Sequence, residues 1–430
     1  MTTLLLRGGR VIDPASGHDA TADVLIENGC VTSVSPTPME AASCSEVIDC
    51  EGHIVCPGLI DTHVHFREPS GDGHEETIAS GAAAAAAGGF TTVCTMPNTT
   101  PAVDSPAAVA EAIELGRAAS SCRVLPVAAA TLGREGRTIA PIPAMAEAGA
   151  VGFSDDGVVI RGEQMMAAVL AAAANVDRCV MQHCQDPAMT GDGVIHPGEV
   201  QRDLDLVPWP PEAEHSIIER DLRLNADIGC AWHGQHISSG DSVAIIRRAQ
   251  QAGQRATGEA SPHHLLLTTE AIPTHGTAAK MNPPLRDQSD IDAIKEGIAE
   301  GTITVLATDH APHPQESKDR PFSNASFGIV GLECALPLYA KALIHEGPLD
   351  WPGMLAMMTC NGADLIGRPD LGRLQVGCTA DITVINPTET WTIDAAGFQS
   401  AGRNCPFDGW NVSGRAVTTV LGGQIRREGV

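Results

Sequence analysis

From Leu59 onward the chain alternates between short apolar runs and segments whose apolar residues recur at helical spacing. Leu59–His65 reads as a strand followed by helix Glu75–Ala87, Phe90–Met96 by Pro106–Ala119, Arg123–Ala130 by Ile142–Ala148, and Ala150–Ser154 by Glu163–Asn175. The alternation continues with Arg178–His183 and His215–Ile228, then Cys230–His236 and Asp241–Gln251. Arg255–Ala260 and Asp290–Glu300 follow, and Ile303–Asp309 with Ile329–Ala342 closes the series. Eight strand–helix units in about 280 residues predict an α/β fold, a (β/α)8 TIM barrel. No G-x-G-x-x-G opens any of the helices, which removes the usual signal for a doubly wound sheet.

The flanks have a different texture. Leu4–Arg7, Arg10–Ile12 and Asp23–Ile26 are strand-like and are separated by Gly8-Gly9, Pro14 and the hairpin dipeptide Asn28-Gly29. A further helix is expected near Trp351–Met358, after which Asp381–Ile385 and Ala416–Leu421 are again strand-like. The expected organisation is therefore a barrel over 57–374 and a small composite β domain made from 1–56 and 375–430.

Composition narrows the partners. A formal net charge of −26 argues against nucleic acid and against an anionic membrane surface. No stretch approaches the ~20 apolar residues that span a bilayer, and Leu4-Leu5-Leu6 is too short for a signal peptide. The 13 cysteines are odd in number and form no C-x-x-C pair, so reduced thiols and a cytoplasmic setting are expected. With only 3% aromatic residues, the core must come mainly from Ala, Val, Ile and Leu.

The candidate chemistry lies at the predicted strand ends, where a barrel of this kind builds its active site. His63 and His65 are two apart, so both project from one face of an extended strand, and Arg67 continues that face. Later strands end in Asn98, in Ser154-Asp155-Asp156-Gly157, in His183, in His236 and in Thr308-Asp309-His310. Four histidines and two aspartates from the ends of five strands are the N and O donors of a one- or two-metal hydrolytic site. An extended strand cannot turn both Asp155 and Asp156 to the metal, and geometry does not choose between them. His233 is expected to face away from His236, and the adjacent pair His263-His264 stays open. His18, His53, His196, His275 and His345 are expected to be solvated.

Over nearly its whole length the chain resembles the dihydroorotases of the amidohydrolase superfamily, in their longer bacterial class. The resemblance is carried by Asp61–Pro69, Met96–Thr99, Phe153–Gly157, Met281–Arg286, Thr308–His313, Gly328–Glu333 and Asn404–Phe407. It implies His63, His65 and Asp309 around one zinc, His183 and His236 around a second, and Asp155 bridging them. It assigns Arg67, Asn98, Asn282 and His313 to substrate and Asp309 to proton transfer. The implied reaction is the reversible cyclisation of N-carbamoyl-L-aspartate to L-dihydroorotate, by a homodimer that can associate with aspartate carbamoyltransferase. A hydantoinase- or allantoinase-like amidase is the neighbouring alternative; an inactive scaffold is disfavoured because all six ligand positions are retained. The chain departs from the family pattern at Ser70, at Asn361-Gly362-Ala363 and at Ser326-Phe327-Gly328, where a proline is usual before the glycine.

Overall fold

The computed structural model describes residues 3–41, 44–69 and 76–428, so Ser70 lies outside the described residues. Five strands come first: β1 (Thr3–Asp13), β2 (His18–Glu27), β3 (Cys30–Ser35), β4 (Glu46–Asp49) and β5 (Ile54–Pro57). The barrel strands are β6 (Leu59–Val64), β7 (Phe90–Thr95), β8 (Arg123–Ala128), β9 (Gly152–Phe153), β10 (Cys179–Gln182), β11 (Trp232–Gly234), β12 (Ala256–Ala260) and β13 (Val305–Leu306). The chain ends with β14 (Ile382–Thr392), β15 (Asn411–Leu421) and β16 (Gln424–Glu428).

Strands β6 to β13 pair in sequence order, all parallel. The ring closes where Val64 bridges His310, and the His65 N–H donates to the His310 carbonyl at 2.8 Å. Every residue of β6 and β7 is buried, because helices cover the outside while side chains fill the inside. That double burial is why these strands read as unbroken apolar runs. The first outer helix, Ile78–Gly88, starts at a capping box between Thr77 and Ser80. Gly81 lets this helix lie directly on Phe66, since a Cβ there would meet the ring at 2.2 Å.

The termini form one sheet. β5 pairs antiparallel with β14, setting Pro57 opposite Ile382 and Ile54 opposite Ile385, and joins the first strands to the last. Its own core packs Leu4, Leu6, Val24, Val55, Ile382 and Val420.

The barrel strands and helices sit within a few residues of the expected ones, but Leu4–Arg7 and Arg10–Ile12 are one strand, β1, in which Gly8-Gly9 makes a register shift against β2 rather than a turn. The single helix expected over 329–342 is instead a 3-10 turn (Leu332–Cys334), an α-helix (Ala335–Tyr339) and a π-helix (Ala340–His345). Tyr339 anchors this segment, its hydroxyl 3.1 Å from the Ala260 carbonyl and 2.8 Å from that of Ala307. All 13 cysteines are unpaired. Among the described residues no helix is long and apolar enough to cross a membrane.

Candidate metal centre

His63 lies within β6 and His65 just past it, where the strand delivers both imidazoles to the carboxyl end of the barrel. Two groups of three residues there could each hold a metal ion, and they share one carboxylate: His63, His65 and Asp156, then Asp156, His183 and His236. All five are buried. Asp309 flanks the first group, its carboxylate 2.9 Å from Nε2 of His65 and 3.5 Å from Nε2 of His63.

The shared carboxylate corrects what the resemblance implied, Asp155, and resolves the choice that strand geometry left open in favour of Asp156. Asp155 turns to the neighbouring strand end instead, accepting from the Thr131 N–H at 3.0 Å and from the Thr131 hydroxyl at 2.5 Å. Asp156 takes the opposite face; one of its oxygens lies 3.5 Å from both His63 and His183. That oxygen is buried and has no hydrogen-bond partner.

The outer nitrogens of three imidazoles are held by acceptors, which fixes their tautomers. Nδ1 of His63 faces Glu259 at 2.5 Å, Nδ1 of His65 faces the Asn98 side-chain oxygen at 2.9 Å, and Nε2 of His183 faces Gln185 at 2.8 Å. With the outer N–H donating, each inner nitrogen lies within reach of Asp156 or His236 and is the atom that would meet a cation there. Burial opposes a charge on His63, but Glu259, Asp309 and Asp156 overcome it and hold its pKa well above the ordinary value. Three carboxylates thus call for positive charge at this point. A divalent cation bound by the inner nitrogens and by the orphaned Asp156 oxygen meets that demand, so the donor set fits a metal.

Two of the surrounding residues are strained. His236 has φ 33° and Asp309 φ 50°, left-handed conformations that cost non-glycine residues free energy. Both are held in place at the site, the His236 N–H by Glu259 at 3.0 Å.

Glu259 was missed by sequence reasoning. It is fully buried on β12, accepts from His63 and the His236 N–H, and lies 3.0 Å from Nε2 of His233. Burial would raise its pKa, yet His63 and His233 bring it far below the usual carboxylate range. The available signal was a carboxylate inside an expected barrel strand, Arg255–Ala260, where an unpaired buried charge would be prohibitive. His233 stands in neither donor triad; its Nε2 meets Glu259 and its Nδ1 meets the Thr257 hydroxyl at 2.8 Å, so it supports Glu259. The open pair also resolves: His264 donates from Nε2 to the Pro283 carbonyl at 3.0 Å, while both ring nitrogens of His263 are buried without a partner.

Above the cluster lies an open cleft of about 240 Å³ lined by Arg67, Asn98, Asn282, His313, Phe327 and Gly328 as well as the histidines and carboxylates. All four expected substrate residues thus reach one cavity. Arg67 donates to the Pro312 carbonyl at 3.2 Å. Asn282 donates to Gln185 at 3.0 Å, and its side-chain oxygen is buried and unpartnered. Burial, reinforced by Arg67, pushes His313 down to about 3, so the ring is neutral. Its Nε2–H donates to the Phe327 carbonyl at 2.7 Å, which leaves Nδ1 as an acceptor.

A parallel barrel with a histidine–carboxylate cluster at its strand ends defines a metal-dependent amidohydrolase. Residues 52–242 match the family model described as dihydro-orotase-like. The dihydroorotase of a Geobacter species is 44% identical over 98% of each chain, and that of Citrifermentans bemidjiense is 43% identical over 98% of this chain and 99% of its own. Among solved structures, the L-hydantoinase of Arthrobacter aurescens superposes with a TM-score of 0.89 at 25% identity, covering 100% of this chain and 97% of its own. The chain belongs to the dihydroorotase family of cyclic amidohydrolases.

Proposed function

We propose that the chain interconverts N-carbamoyl-L-aspartate and L-dihydroorotate in de novo pyrimidine biosynthesis, with zinc as its metal. The observation that carries this reading is one cleft whose floor holds two donor triads sharing Asp156 and whose rim holds Arg67, Asn98, Asn282 and His313. His63, His65 and Asp156 would hold one ion, His183, His236 and Asp156 a second, with Asp309 beside the first. When bound, the metal polarises the amide carbonyl and makes water a competent nucleophile at neutral pH.

The chain's own residues supply the rest. Burial alone would raise the Asp309 carboxyl, but His63 and His65 bring it down to about 2, so it is ionised and able to take a proton. In the hydrolytic direction Asp309 accepts the proton of the attacking water and returns it to the departing ring nitrogen. Arg67 pairs with the substrate carboxylate as a planar fork. Asn282 and His313 offer an amide and a ring nitrogen to the polar edge of the ring.

A hydantoinase-like activity shares the fold, yet hydantoin and allantoin bring no carboxylate to Arg67. We further propose a cytoplasmic homodimer able to associate with aspartate carbamoyltransferase. The compartment is supported by the unpaired cysteines and the assembly by the family resemblance alone. Turnover of dihydroorotate, hydantoin and allantoin by the purified chain, with its metal content measured, tests the reading. Preference for hydantoin or allantoin would overturn it.

A further inference from the structure

Part of the cleft's wall is formed by Phe327 and Gly328, which belong to irregular chain between 319 and 331. Loop carbonyls outside helices and sheets need donors of their own. Here two lysines from elsewhere supply them. Lys280 points its Nζ at the carbonyls of Phe322 (2.6 Å), Ser323 (3.2 Å) and Ala325 (2.7 Å). Lys318 points its own at the carbonyls of Ser326 (2.8 Å), Gly328 (3.0 Å) and Lys280 (3.2 Å).

Both side chains are buried, only 1% and 3% exposed, and among the described residues neither pairs with a carboxylate. Buried lysines without a counter-ion are rare, because desolvating an ammonium is costly. Burial brings Lys280 down to about 8, and burial with the neighbouring Lys280 brings Lys318 to about 7. The carbonyls work the other way, since only the ammonium form has three N–H groups to give. The Lys280 ammonium also lies 4.2 Å from the centroid of the Phe327 ring. The two lysines interlock, because Lys318 holds the backbone carbonyl of Lys280, and Lys280 shortly precedes Asn282 on the cleft rim.

We propose that Lys280 and Lys318 are positioning residues that pin the 322–328 segment and so set the substrate-facing wall of the cleft before substrate arrives. This rests on the reading that the cleft is the substrate site. A wall fixed in advance spares the substrate the entropy of ordering it, and that saving is common to ground and transition states. Loss of the clamp therefore weakens binding and leaves the chemical step alone.

The test measures KM and kcat for dihydroorotate, bound metal, and amide hydrogen exchange over 313–330 in the full chain carrying Lys280→Met or Lys318→Met. Expected are a KM raised about tenfold or more, kcat within about threefold, unchanged metal, and faster exchange confined to that segment. Lys318→Gln, which keeps two N–H groups, should fall between wild type and Lys318→Met, and serves if a methionine variant does not fold. An unchanged KM with unchanged exchange overturns the proposal. So does a fall in kcat and metal content with no rise in KM, which marks a purely structural role. If wild type fails to turn over dihydroorotate, the function is wrong, while the exchange measurement still decides the clamp.

Discussion

Asp155 and Asp156 are adjacent in the chain and face opposite ways: Asp155 binds the Thr131 backbone and hydroxyl, and Asp156 lies among His63, His65 and His183. Asp156→Ala is expected to remove bound metal and to lower kcat/KM by about 10²-fold or more, beyond what supporting residues cost. Asp155→Asn keeps an acceptor for Thr131 and should retain metal, with a stability loss of about 1 kcal/mol. Metal analysis of the two variants decides; metal lost only from the Asp155 variant would reverse the assignment.

Glu259 holds the outer nitrogen of His63 at 2.5 Å and the His236 N–H at 3.0 Å, touching one residue of each triad. Glu259→Gln is expected to lower metal affinity about 10- to 100-fold. Competition with a chelator reads this directly, without an activity assay.

Asp309→Asn keeps an oxygen near His65 but cannot take a proton. Turnover should fall by roughly 10²–10⁴-fold while metal content and substrate affinity change far less. Parallel losses of metal and turnover would leave Asp309 a ligand only.

Arg67→Lys keeps charge and loses the planar fork. A charge-assisted hydrogen bond is worth about 1.5–3 kcal/mol, so kcat/KM for dihydroorotate should drop roughly ten- to hundredfold. Dihydrouracil, which lacks the carboxylate, should be affected little. The same ratio between the two substrates in wild type and variant would remove Arg67 from carboxylate binding.

His263 is buried with both ring nitrogens unpartnered, and burial lowers its pKa to about 4 from an ordinary 6.5. The unfolded chain takes up a proton below pH 6.5 that the folded chain refuses until about pH 4. Stability is therefore present above 6.5 and lost as pH falls through that window, by about 3 kcal/mol in all. His263→Leu should flatten the fall of Tm between these limits relative to wild type. An identical slope in both proteins would rule His263 out as a source of the acid sensitivity.

Much of this was legible along the chain. Doubly buried strands such as β6 and β7 must be apolar throughout, so eight runs alternating with helical spacing announce a parallel barrel. His63 and His65 share a face because strand side chains alternate, and that holds before any tertiary contact forms. Asp156 over Asp155 was different. The strand there is only Gly152–Phe153, and past its end the period of two no longer applies, so Thr131 on the next strand end decided. Glu259 and the two lysines were invisible for the same reason. Their partners lie 196 residues away for Glu259 and His63 and 42 to 45 residues away for Lys280 and its carbonyls, while Lys318 bonds carbonyls 8 and 10 residues on in irregular chain that carries no periodic pattern. Local pattern determines which residues share a face; only the closed barrel decides which buried charges meet.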